Sequence, residues 1–161
     1  MTIKYLIQLN NYPSIIGFAI TKTLEPISME EIISLENSYN NRHPFPIALR
    51  ELLFLAGKYC YVLDYGLTES QQEMQEWARR GLTKYNRNLS ISRPFFVIDI
   101  YNANDQFVFV YLDDGENPMV YEALLFELKP DEGPWIHSLS KRLSEYIDSG
   151  IAKLLKGINP F

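Results

Sequence analysis

Between Phe107 and Tyr121 the chain reads FVFVYLDDGENPMVY. Phe107 to Leu112 is an unbroken run of aromatic and β-branched residues, which reads as a strand. Asp113, Asp114, Gly115, Glu116 and Asn117 are turn chemistry, with Gly115 available for a positive φ. Another strand follows near Met119 to Phe126. Upstream, Phe95 to Tyr101 (FFVIDIY) is a third, joined to Phe107 around Asn102, Ala103, Asn104 and Asp105 as a hairpin. Three successive strands with short joints make an antiparallel meander. With the helices around it, this gives an α+β class, a mainly antiparallel sheet packed against helices.

On the amino-terminal side, Ser28 and Glu31 form a capping box for a short helix through Ile32, Ile33, Leu35 and Tyr39. Pro46 opens a second helix that is apolar on most of its circumference (Ile47, Leu49, Leu52, Leu53, Leu55, Ala56) and closes on Gly57. Lys58 to Tyr65 alternates and is expected to be a strand with Tyr59, Tyr61, Leu63 and Tyr65 on one face. Thr68 to Gln71 is expected to cap a third helix, with Met74, Trp77, Ala78 and Gly81 on its apolar face. Residues 1–24 hold two β-prone runs, IKYLIQL and SIIGFAI, around a turn at Asn10 to Pro13. Downstream of the meander, Pro134 opens a long amphipathic helix through Ile136, Leu139, Leu143, Ile147, Ile151, Leu154 and Leu155, with Trp135 and His137 in its first turn. The 161 residues suit one domain, 1–161, with 1–27 as an amino-terminal β extension.

Charge is unevenly spread. Nine acids and one base lie between Pro94 and Pro134, whereas five bases and no acid lie between Arg79 and Arg93. The larger acidic stretch disfavours nucleic acid as a partner and permits a basic protein. Arg79 and Arg80 fall where a helix ends and positive charge is expected, so the basic run needs no phosphate to explain it. No run reaches the roughly 18 apolar residues of a membrane span, and the first residues lack a signal-peptide pattern. A single cysteine, Cys60, excludes an internal disulfide. A cytoplasmic protein is the expectation.

The acids around Gly115 raise the question of chemistry. As a calcium loop starting at Asp113, the third position is Gly115 and the twelfth Leu124, neither of which offers a side-chain oxygen. Paired catalytic carboxylates need one desolvated member, and three acids in an exposed turn have none. His43 and His137 are far apart in sequence, Cys60 has no activating base at a fixed spacing, and no phosphate loop or nucleophile elbow occurs. No metal, cofactor or catalytic residue is expected. The turn is structural, and a partner-binding surface is compatible with it.

One arrangement resembles a known family. A capped helix precedes Phe45, Pro46, then Arg50, Glu51, Leu52, Leu53 and Gly57; VIDI, FVFVYLDDGENPMVY and a closing amphipathic helix follow. This is similar to the SUKH superfamily, which joins fungal cell-wall-synthesis regulators to many bacterial proteins. Phe45 and Pro46 stand for its Leu-Pro, Arg50 to Leu53 for its helix core, and Pro118 to Tyr121 for its Pro-Val-aromatic stretch, interrupted here by Met119. The resemblance spans residues 28–155. It implies a non-enzymatic protein-binding domain, an immunity protein that neutralises a basic toxin domain. Asp113, Asp114 and Glu116, with Asp131 and Glu132, would then contribute an acidic partner-binding face. The fungal relatives imply an alternative, a regulatory or scaffold module in wall synthesis or signalling. A third reading is an enzyme or small-ligand binder whose site the sequence does not display.

Overall fold

The computed structural model describes residues 1–17, 20–84, 89–101, 105–126 and 133–160. The meander is a four-stranded antiparallel sheet whose spatial order follows the chain: β3 (Phe95–Tyr101), β4 (Gln106–Tyr111), β5 (Met119–Leu124) and β6 (Ile136–Arg142). Val97 pairs with Phe109, Phe109 with Tyr121, and Glu122 with His137. The first six residues of β3 and the four central residues of β4 are buried, so the middle of the sheet is covered on both faces. That is why FVFV is continuously apolar instead of alternating. Asn102, Ala103 and Asn104 of the expected hairpin joint lie outside the described residues.

The helices are α1 (Ile7–Asn11), α2 (Met29–Tyr39), α3 (Ile47–Ala56), α4 (Gln71–Leu82) and α5 (Leu143–Leu155); a two-stranded sheet, β1 (Ser14–Gly17) with β2 (Ile20–Thr23), lies near the amino terminus. The architecture is α+β, with every strand pairing antiparallel among the described residues. One core cluster runs from Leu6 to Leu154 and includes Ile32, Leu49, Leu52, Phe96, Phe107 and Ile147.

Local chemistry sets the helix ends. The Glu31 amide donates to Ser28 Oγ at 3.2 Å and the Ser28 amide to Glu31 Oε2 at 3.0 Å, the capping box expected for α2. Pro46 is the residue just before α3, and Gly57 ends that helix by donating to the Leu53 carbonyl at 2.9 Å. A Cβ on Gly57 would stand 2.5 Å from that carbonyl oxygen and 2.7 Å from Ile27 Cγ1, so only glycine fits. Ser70, two residues later than expected, caps α4: it accepts the Glu73 amide at 3.1 Å, while Glu73 takes the Glu69 amide at 2.7 Å.

Helix α4 also seals one edge of the large sheet. Gln75 donates to the Val97 carbonyl at 2.7 Å and accepts the Val97 amide at 2.9 Å, standing in for a neighbouring strand. Arg79 reaches the Phe95 carbonyl at 3.1 Å and lies over the rings of Tyr39 and Phe95. At the other edge, β6 is kinked by Ser140 at φ +54° and carries Lys141 and Arg142, devices that discourage edge pairing.

Three expectations are corrected. IKYLIQL is not a strand: its second half is α1, because the Glu51 carboxylate gathers the amides of Lys4, Tyr5 and Leu6 at 2.6, 2.9 and 2.8 Å and turns the chain into a helix. Lys58 to Tyr65 is not a strand either. Beyond a single bridge between Glu25 and Tyr59 it turns back on itself, with the Leu63 amide on the Cys60 carbonyl at 3.2 Å and Tyr65 at φ +55°. Its alternation reflects burial from several sides. Finally, the segment after Pro134 starts as β6, and the helix begins only at Leu143. The spacing of Ile136 and Leu139 coincides with a strand paired to β5, so His137 lies at that strand's beginning and Trp135 just before it. Helix α5 then buries Leu143, Ile147, Ile151 and Leu154 and packs against α1, α3, β5 and β6.

Candidate functional site

The turn after β4 is a junction. Arg93 grips Asp113 with Nη2 at 2.6 Å and Nε at 3.1 Å, and its guanidinium lies 3.9 Å from the centre of the Tyr111 ring. Asp114 folds back to accept the Met119 amide at 2.9 Å. Gly115 has φ +78° with open space around it, as the turn requires. Glu116 accepts the Tyr5 hydroxyl at 2.6 Å and pairs with the Lys4 ammonium. Its carbonyl takes the Ala48 amide at the start of α3 at 2.9 Å. Asn117 caps α5, accepting the Ser144 amide at 3.1 Å and donating to its hydroxyl at 2.8 Å.

Electrostatics follow from these contacts. The hydrogen bond from Arg93 holds the Asp113 carboxyl below its usual range, and Lys4, then Tyr5, do the same for Glu116. Both pairs are exposed, so water screens them. The acidic and basic runs therefore answer one another: Arg93 meets Asp113, and Lys84 meets Asp105 at 2.6 Å. The structure brings Asp113, Asp114 and Glu116 into one turn, whereas Asp131 and Glu132 lie outside the described residues.

A second polar centre was hidden in VIDI. Asp99 is fully buried and accepts four hydrogen bonds, from the amides of Asp64 (3.0 Å), Tyr65 (2.7 Å) and Ile100 (3.0 Å) and the Tyr101 hydroxyl (2.5 Å). Burial, then the nearby Asp99 charge, pushes the Tyr101 phenol up in turn. Burial pushes the Asp99 carboxyl up to about 6, although all four donors oppose that shift. Its signal in the sequence is an acid inside an otherwise apolar strand. Glu51, on the apolar circumference of α3, carries the same signal. Glu36 completes the set: it accepts the Phe45 amide at 2.8 Å and faces Arg50 at 2.8 Å.

Other chemistry is thin. Burial pushes the Cys60 thiol up to about 12, which leaves no thiolate at neutral pH. His137 stands across from Glu122, with Nε2 buried and lacking a hydrogen-bond partner among the described residues. Among the described residues no three His, Cys, Asp or Glu side chains are placed to hold a metal, and no helix is long and apolar enough to cross a membrane. Two cavities flank Pro26 and Ile27. One, about 340 Å³, is lined by Glu31, Ser34, Lys58, Tyr65, Glu69 and Gln71 among others. The other, about 400 Å³, is lined by apolar and uncharged side chains. No family model, curated protein or solved structure matches the chain.

Proposed function

We propose that this chain is a non-enzymatic, cytoplasmic protein-binding domain, and that it acts as an immunity protein of the kind the SUKH resemblance implies, neutralising a basic toxin domain by covering it. The observation that supports this reading is the use of its buried polar side chains. Glu36, Glu51, Gln71, Gln75 and Asp99 each bind backbone of their own chain. Side chains committed in this way hold a surface in shape, which suits a protein whose work is complementarity. A basic partner at the turn would compete with Arg93 for Asp113 and with Lys4 for Glu116, an exchange of exposed ion pairs that salt weakens.

The test is binding to the carboxyl-terminal domain of the polypeptide encoded beside this chain, at low and high salt. Tight binding, with association slowed by salt, is expected. The combined change Asp113→Asn, Asp114→Asn and Glu116→Gln should slow association and flatten its salt dependence. Failure to bind at either salt would overturn the immunity reading; unchanged kinetics in the variant would remove the turn from the interface. A second reading, a small-ligand binder, is favoured by the cavity of about 340 Å³ beside Glu31, Lys58 and Tyr65, whose size lies in the range of ligand sites.

A further inference from the structure

The cavity of about 340 Å³ has a one-sided chemistry. Helix α2 gives it Glu31 and Leu35, and the start of α4 gives it Gln71. Gln71 is only 6% exposed. Its Nε2 donates to the Gly57 carbonyl at 2.7 Å, which fixes the amide's orientation and leaves Oε1 without a donor among the described residues. The Tyr65 phenol lies nearby, but its one proton is already given to the Ala56 carbonyl at 2.8 Å. A nearly buried carbonyl oxygen without a donor is costly to keep, and this one belongs to a side chain that lines the cavity.

Three more donors of the lining are spent too. Thr68 Oγ1 donates to the Tyr65 carbonyl at 2.7 Å, Gln72 Nε2 to Glu76 at 3.0 Å, and Lys58 pairs with Glu25 at 2.8 Å. Acceptors are spare. The Glu69 carboxylate has no partner among the described residues, and Glu31 uses only Oε2, on the Ser28 amide at 3.0 Å. An anion is unsuited: Glu31 and Glu73 already stand in the first turns of α2 and α4, the helix ends that would attract one.

We propose that this cavity binds a small free organic cation, a primary ammonium or guanidinium on a short aliphatic stem. Its N–H groups meet Gln71 Oε1 and the carboxylates of Glu31 and Glu69, and its stem lies along Pro26, Ile27 and Leu35. A cavity of this volume takes a whole small molecule. The assignment rests on the second reading above, a small-ligand binder, and does not depend on the immunity reading.

Titration calorimetry of the full chain with agmatine, which carries both cationic groups, tests it. Binding with a Kd of about 1 mM or tighter is expected, weakened by salt, and butyrate should not bind. Glu31→Gln combined with Glu69→Gln removes both charges and leaves a side chain that still closes the capping box. Affinity for agmatine should then fall about tenfold or more, with the thermal midpoint as in the parent. Gln71→Leu should weaken binding as well. Glu30→Gln, an exposed acid of the same helical turn that does not line the cavity, should leave it unchanged. No binding of agmatine, or binding that the double variant leaves intact, would overturn the proposal. A thermal-shift panel of butyrate, n-butanol and glucose separates this failure from that of the underlying reading. Stabilisation by one of them that Gln71→Leu cancels means that the ligand class is wrong while the cavity still binds ligands; no stabilisation by any of them or by agmatine sinks both.

Discussion

The Asp99 carboxylate accepts the Tyr65 amide at 2.7 Å, and Tyr65 sits at φ +55°, a conformation that bulky residues avoid. The acid holds a strained turn in place by giving its amides somewhere to go. Asp99→Asn leaves an NH₂ group facing donors, and should cost about 2–4 kcal/mol. The effect depends on pH. With a folded value near 6 against about 3.9 unfolded, the native state binds the extra proton, so this group's contribution is full below about pH 4 and is lost as pH rises through 6. Urea titrations from pH 4 to 7 should show the penalty of Asp99→Asn shrinking by about 2–3 kcal/mol across that window. A penalty that grows with pH would mean the donors outweigh burial.

Glu51 carries the start of the chain. Glu51→Gln replaces one of its two acceptor oxygens with a donor, so amides among Lys4, Tyr5 and Leu6 lose their partner. A loss of about 2–3 kcal/mol is expected, together with faster hydrogen exchange at these three amides than at α3. Unchanged protection at the three amides would show that another group holds the segment.

Gln75 substitutes for a strand. Gln75→Leu keeps an apolar filling but strips both partners from Val97, so stability should fall by about 2–4 kcal/mol. The same variant opens the β3 edge, and light scattering on warming should show earlier aggregation than in a variant equally destabilised within the core.

Cys60 reports on unfolding. Its thiol is buried and pushed up to about 12, so a thiol reagent at pH 8 should label the native protein only as fast as the protein opens. Labelling at the rate of a free thiol would place Cys60 at the surface.

What could be read from sequence was what neighbours in sequence decide. Ser28 with Glu31, Pro46 with Gly57, and the apolar runs of β3 to β5 lie within a turn or a strand of the features they specify. The elements misread are those set from far away. The start of α1 is turned by a carboxylate 45 to 47 residues downstream, and the turn at Tyr65 by one 34 residues downstream. The helical spacing of Ile136 and Leu139 yields to pairing with β5. The candidate turn was legible as a turn, because Gly115 and its polar neighbours suffice for that. Its cations were not: Arg93 and Lys4 reach it across 20 and 112 positions.

That last distance bears on how the chain is made. Lys4 and Tyr5 leave the ribosome long before Glu116 exists, and the α5 surface against which α1 packs comes later still. During synthesis Glu51 can gather the first amides early, but Lys4, Tyr5 and α1 wait for their contacts with Glu116 and α5 while most of the polypeptide is added. The earliest residues are among the last to complete their contacts, and that interval is when a nascent chain of this design most needs protection from its neighbours.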